Sequence, residues 1–160
     1  TSGGTQSNLQ ALLLAREQAL ATAPGVRACD LVVLATAASH FSVQRAAHLL
    51  GLEPDAVRLV PVDERGRMRP DALAIALRHV ERDGRHAAAV VATAGTTDRG
   101  CVDPLAAVAD VCDLADVWLH VDAAYGCGLL VSPTRRHLLD GIEYSSLKSV
   151  EPLRCKFDAW

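Results

Sequence analysis

Residues 87–126 read AAAVVATAGTTDRGCVDPLAAVADVCDLADVWLHVDAAYG. Two short apolar runs, Ala87–Thr93 and Val117–Val121, flank a segment that Pro104 opens as a helix reaching about Ala115. Short runs with so little polar alternation suit strands buried on both faces, and such strands belong in parallel sheets covered by helices. The same alternation runs upstream. Ser7–Thr22 carries apolar residues at 9, 12, 13 and 20 on good helix formers and is stopped by Pro24-Gly25. Asp30–Thr36 (DLVVLAT) reads as a buried strand, Ser42–Leu50 as a helix closed by Gly51, and Val57–Val62 as a strand ending at the turn DERGR. Pro70 suits the first turn of a helix that continues to Arg82, and Arg135–Leu139 reads as a short helix before Gly141. Strands alternating with helices predict βαβ units: an α/β fold with a mostly parallel sheet and flanking helices.

Composition narrows the class. The chain has 160 residues, 50% hydrophobic and 22% charged, which suits one globular domain. A net charge of −3 leaves no basic surplus to neutralise phosphates, so nucleic acid is not an expected partner. The longest apolar runs fall far short of the roughly 20 residues that a membrane span needs. Thr1–Gln6 has no basic segment of the kind that opens a signal peptide. The 5 cysteines are odd in number and lack CxxC spacing, so reduced, mostly buried thiols and a cytoplasmic location are expected. The composition shifts at residue 144. Thirteen arginines and no lysine precede Gly141, whereas both lysines, Lys148 and Lys156, lie in the last 17 residues with three of the six aromatics. The expected division is a body over 1–143 and a divergent tail over 144–160.

In open α/β sheets, ligands bind beyond the carboxyl ends of the strands. The strand LVVLA is followed by His40, AAAVVAT by Thr96 and Thr97, and VWLHV by Asp122. Ser2, Gly3, Gly4 and Thr5 open the first helix, and a Gly-rich entry with free N–H groups at the positive dipole end forms an anion site. Each element has an ordinary reading of its own. TSGGT could be a plain helix cap, His40 a cap or surface residue, and the threonines loop filler. Asp122 is the hardest to dismiss, because a carboxylate at a buried strand tip is costly without a cationic partner. His120, two residues earlier in the same run, reads as a core histidine. Together the elements describe a ligand with a phosphate, an aromatic ring and a basic nitrogen. Pyridoxal phosphate meets that description. Its phosphate would take the Gly-rich turn, and Asp122 would hold the pyridine nitrogen protonated.

The segments TSGGTQSNLQALLLAR, HFSVQRAAHLLGL, VVATAGTTDRGCVDPL and WLHVDAAYG…LLVSPTRRHLLDGIE resemble the group II pyridoxal-phosphate-dependent amino-acid decarboxylases, over residues 1 to about 143. The resemblance implies the fold type I, aspartate-aminotransferase-like large domain, of which this chain would be a part. It also implies a homodimer with active sites near the subunit interface, an L-amino acid as substrate, and an amine and CO2 as products. By position, Gly3, Gly4 and Thr5 would cradle the cofactor phosphate. His40 would stack on the pyridine ring and take part in catalysis. Thr97 would lie beside the ring, Asp122 would bind its nitrogen, and Ala124 would pack against it.

The tail departs from the family pattern. Pro152 falls on the family proline, but Leu153 stands at the position of the histidine and Arg154 at that of the Schiff-base lysine. A guanidinium stays protonated and cannot form that bond. Lys148 and Lys156 would each need a shift of register. A chain of this extent resembles about a third of such an enzyme, so exposed sheet edges and marginal stability are expected. Three alternatives remain open on the residues: a fragment that binds the cofactor only non-covalently, another fold type I enzyme such as an aminotransferase, and a nucleotide-binding α/β domain. The last lacks both GxGxxG and a Walker lysine at the opening turn.

Overall fold

A computed structural model describes residues 2–146. Lys148, Pro152, Leu153, Arg154, Cys155 and Lys156 lie outside the described residues. Four strands, β1 (Leu31–Ala35), β2 (Val57–Leu59), β3 (His86–Thr93) and β4 (Trp118–Asp122), form one sheet in the order β2-β1-β3-β4. Every pairing is parallel: Val33 opposite Val57, Leu34 opposite Val90, and Val91 opposite His120. The helices are α1 (Gly4–Thr22), α2 (Ser42–Leu49), α3 (Pro70–Arg82) and α4 (Leu105–Leu114).

The period-two alternation of strands divides the core into two faces. Leu31, Val33 and Ala35 pack with Leu12, Ala15 and Ala19 of α1 and with Val43, Ala46 and Ala47 of α2. Val32 and Leu34 pack on the other side with Leu73, Leu77 and Val80 of α3 and with Leu105, Val108 and Ala109 of α4. Both faces of β1 are therefore covered, which is why its sequence reads as an unbroken apolar run. In β4, Trp118 joins the α1 side while Leu119 and Val121 join the α3–α4 side. His120 and Asp122 continue the register of Trp118 and so face α1.

Some boundaries differ from the sequence expectation. Helix α1 starts at Gly4 rather than Ser7. The Gly3 carbonyl accepts from the Ser7 N–H at 3.0 Å and from the Ser7 hydroxyl at 3.2 Å, and Gln6 Oε1 accepts from the Ser2 N–H at 2.8 Å. These bonds carry the helix through glycines of poor intrinsic propensity. Strand β2 stops at Leu59 because Pro61 has no N–H to continue the ladder. Val62 instead bridges Met68 in antiparallel fashion across a turn gripped by Asp63, whose carboxylate accepts the Arg65 and Arg67 N–H groups at 2.9 Å each. The short helix expected at Arg135–Leu139 is a 3-10 turn over Arg136–Leu139, between similar turns at Gly126–Val131 and Ile142–Ser146.

The thiols also differ from expectation. Cys29, Cys101, Cys112 and Cys127 are free, but only Cys112 is buried and the other three are half-buried. Cys29, Cys101 and Cys127 lie in turns and loops, where neighbours cover one side only, whereas Cys112 faces the core from α4. Burial pushes the Cys112 thiol up to about 12. Large apolar side chains also stand exposed, among them Leu114, Val131, Leu49 and Leu59.

One buried carboxylate ties the loops to the sheet. Asp103 accepts the Met68 N–H and the Thr93 N–H at 2.7 Å each. Its own N–H donates to the Thr93 carbonyl at 2.9 Å. Desolvation holds its carboxyl above the usual range, while the two N–H donors pull it back down. Asp103→Ala would leave two buried backbone donors without acceptors, at about 1–3 kcal/mol each. The expected outcome is a urea midpoint lowered accordingly in equilibrium unfolding. In a companion measurement, iodoacetamide at mildly alkaline pH labels Cys101 and Cys127 in the native chain but leaves Cys112 unmodified until urea is added.

Candidate active site

The strand order reverses between β1 and β3, and the carboxyl ends flanking that point open into a cleft of about 270 Å³. Ala38 and His40 reach it from the end of β1. Thr93, Gly95, Thr96 and Thr97 reach it from β3, and Asp122, Ala124 and Tyr125 from β4. Gly4 and Thr5 reach it from the start of α1. Six of the seven sequence candidates (Gly4, Thr5, His40, Thr97, Asp122 and Ala124) thus line one cavity. Gly3 lies in an adjoining recess lined by α1 and α2, which Gly4 and Thr5 share.

One end of the cleft is suited to an anion. The first N–H groups of a helix have no intrahelical acceptor. At α1 no side chain caps them from Gly3, and no acidic residue lies in the first turn. These donors and the positive end of a 19-residue helix favour negative charge.

Asp122 lies at the other side. Its side chain is buried, with the residue only 7% exposed. Oδ1 accepts the Ala124 N–H at 3.0 Å, and Oδ2 accepts the Asn8 amide Nδ2–H at 2.7 Å. Among the described residues, no ion pair includes Asp122. A carboxylate offers about four acceptor sites. Two hydrogen bonds leave acceptor capacity for a cation or donor that enters the cleft.

Behind Asp122 runs a polar network that the sequence reading missed. The Asn8 amide also donates to Ser42 Oγ at 2.9 Å, and its Oδ1 lies 2.8 Å from His120 Nε2. Ser42 Oγ lies 2.7 Å from His40 Nδ1. His120 is the buried core histidine expected, and it also belongs to this network. Asn8 had one legible signal: it is a polar residue on the buried stripe that Ala11, Leu12, Ala15 and Ala19 define along α1. His40 does double duty, since its Nδ1 accepts the Ser42 N–H at 3.3 Å at the mouth of α2 while the residue lines the cleft. Thr96 is a scaffold residue: it is buried, and its Oγ1 accepts the Cys101 N–H at 3.1 Å. Thr97 is exposed on the open side.

Backbone contact sets the cleft wall. A Cβ on Gly126 would lie 2.1 Å from the Ala94 carbonyl oxygen. Gly95, at φ +100°, faces the Gly126 nitrogen, with its own ideal Cβ 3.0 Å away. Only glycine at 126 lets the turn after Asp122 close onto the end of β3.

Comparison with known proteins identifies the family and the fold. The pyridoxal-dependent decarboxylase conserved domain matches residues 1–155. The chain is 49% identical over 145 residues to an L-2,4-diaminobutyrate decarboxylase of Rhizobium meliloti, covering 91% of this chain and 28% of that protein. Among solved structures, apo mouse CSAD superposes with a TM-score of 0.85 at 44% identity, over 91% of this chain and 31% of that one. The structure of Oryza sativa TDC with PLP and tryptamine gives 0.83 at 34% identity, over 90% and 30%. The chain belongs to the pyridoxal-dependent decarboxylase family, and its fold is that of these fold type I enzymes. It spans under a third of the length of each of these relatives. Among the described residues, no helix is long and apolar enough to cross a membrane.

Gly126→Ala forces the turn away from Ala94. Overpacking of this kind costs about 1–3 kcal/mol, and the backbone contact places the variant at the upper end. Thermal unfolding followed by circular dichroism checks this, with Gly128→Ala as the control because a Cβ there meets nothing within 4 Å.

Proposed function

We propose that this chain supplies the cofactor-binding part of an enzyme that decarboxylates an L-amino acid to the amine and CO2, with pyridoxal 5′-phosphate as cofactor. One observation carries the reading: the buried Asp122 carboxylate, without a cation among the described residues, shares a cleft with an uncapped helix N-terminus. That pairing fits a molecule with a cationic ring nitrogen at one end and a phosphate at the other. The pyridine ring of the bound cofactor supplies the electron sink for the charge left when CO2 departs.

The remaining work falls to the chain. Gly3, Gly4 and Thr5 hold the phosphate through the first-turn N–H groups of α1. Asp122 keeps a proton at the ring nitrogen, because an opposite charge in a low-dielectric pocket favours the charged form of both partners. Asn8 and the Ala124 N–H keep that carboxylate aimed into the cleft. His40, Thr97 and Ala124 line the same cleft; His40 would cover the ring and serve as the catalytic residue, and Thr97 and Ala124 would flank it. A homodimer accompanies this reading. Exposed Leu49, on the recess beside the phosphate end, is the kind of apolar surface that such an interface covers. The free thiols Cys29, Cys101, Cys112 and Cys127 support a reducing, cytoplasmic setting.

A second reading has its own support. No lysine precedes Lys148, and in the ungapped register that the resemblance implies, Arg154 would stand at the position of the family's Schiff-base lysine. On that reading the chain holds the cofactor non-covalently. Titration of the chain with pyridoxal phosphate, followed by cofactor absorbance, is expected to saturate. Asp122→Asn keeps the shape and removes the charge, and it is expected to weaken binding at least about tenfold, equivalent to roughly 1.4 kcal/mol. Unchanged binding by Asp122→Asn would overturn the proposal. Borohydride reduction followed by peptide mass analysis then decides the mode: a pyridoxyl group on Lys148 or Lys156 marks a covalent enzyme, and an unmodified chain marks non-covalent binding.

A further inference from the structure

We infer that Ser42 and Asn8 are positioning residues: they fix the proton of the neutral His40 ring on Nε2 and tie that choice to the Asp122 carboxylate. The inference deepens the proposed reading of the cleft and rests on it for its use. The proton assignment itself follows from donors and acceptors alone.

The logic starts at Asp122. A carboxylate offers only acceptors, so the Asn8 atom 2.7 Å from its Oδ2 is the amide nitrogen. That choice turns Asn8 Oδ1 towards His120 Nε2 at 2.8 Å, so His120 donates from Nε2. It also spends the second Asn8 N–H on Ser42 Oγ at 2.9 Å. Ser42 Oγ therefore receives one hydrogen and has a single hydrogen of its own to give. The acceptor 2.7 Å away is His40 Nδ1.

A second donor reaches the same atom. The Ser42 backbone N–H points at His40 Nδ1 at 3.3 Å, and a backbone amide cannot turn into an acceptor. With two donors aimed at it, Nδ1 has no room for a hydrogen, so the proton of the neutral ring sits on Nε2. The Phe41 ring packs at 4.2 Å between centroids against the imidazole. A ring flip would set a C–H against both donors. Asn8 and Ser42 are each 1% exposed and His120 is 3% exposed, so water has little access to replace any of these bonds. The result is a cleft residue that offers an N–H donor through Nε2 rather than a free lone pair. His40 and Asp122 answer to one amide group.

The test uses the cofactor-free full chain labelled with 15N-histidine, in long-range 1H–15N correlation spectra at alkaline pH, where histidines are neutral. His40 is assigned by the signals that vanish in His40→Gln, and His120 by those that vanish in His120→Gln. The expected result is the Nε2–H pattern for both rings. In Ser42→Ala the backbone donor remains, so His40 is expected to keep its Nε2–H pattern while its Nδ1 resonance shifts with loss of the hydroxyl donor, and His120 keeps its own signals. A proton on Nδ1 of His40 in the unsubstituted chain overturns the inference, as does an unmoved His40 Nδ1 resonance in a folded Ser42→Ala. Should Ser42→Ala not fold, the unsubstituted spectrum decides alone. Pyridoxal phosphate added afterwards tests the cleft separately: failure to bind removes the cofactor reading and leaves the tautomer result standing.

Discussion

The hydrogen bond from Asn8 to Asp122 joins residues 114 apart in sequence and couples the two halves of the cleft. Burying a carboxylate is tolerated only where donors replace its water. Here one donor comes from the residue two positions on and the other from α1. The requirement fixes the depth at which α1 lies over β4. Because the same helix presents its first turn to the cleft, the anion end and the carboxylate end are set by one rigid element. The apolar stripe of α1 seals the contact against β1 and β3.

The rest of the fold serves that arrangement by backbone closure. The excursion between β3 and α4 is stitched at its base by the Gly95 and Thr96 N–H groups, both donating to the Cys101 carbonyl at 2.9 Å. Asp103 then fastens it to the sheet and to the Met68 loop. A similar close approach recurs at Gly141, whose Cβ would fall 2.2 Å from the Ala106 nitrogen, so the Ile142–Ser146 turn seats directly on α4. Positions with little room for side chains define the walls, and the polar chemistry stands between them.

Much of this was legible because strong local signals agreed with the tertiary outcome. Leu31–Ala35 and the stretch 88–92 are apolar throughout, and the sheet buries them on both faces. Pro70 starts α3 where a proline at the first turn should. Asp122 stood out because nothing in its own segment could neutralise it. Asn8 left only one faint signal, a polar residue on an apolar stripe, and Ser42 left none, because a polar residue near a helix start has an ordinary local explanation. Their role arises only when β4 and α2 are brought against α1. The early start of α1 was hidden for a related reason: two glycines argue against helix, and the Gly3 and Gln6 bonds override them. The half-exposed cysteines were misjudged because thiol burial depends on which loops fold over them.

The shared amide at position 8 has an evolutionary corollary. A single side chain there satisfies a carboxylate, a hydroxyl and an imidazole at once, with two N–H hydrogens and a carbonyl oxygen on one short stem. A change at position 8 alone therefore leaves buried groups at positions 42, 120 and 122 each one partner short. Substitutions through this corner of the fold are expected to be non-additive, with epistasis between a helix and a strand that look unrelated along the chain.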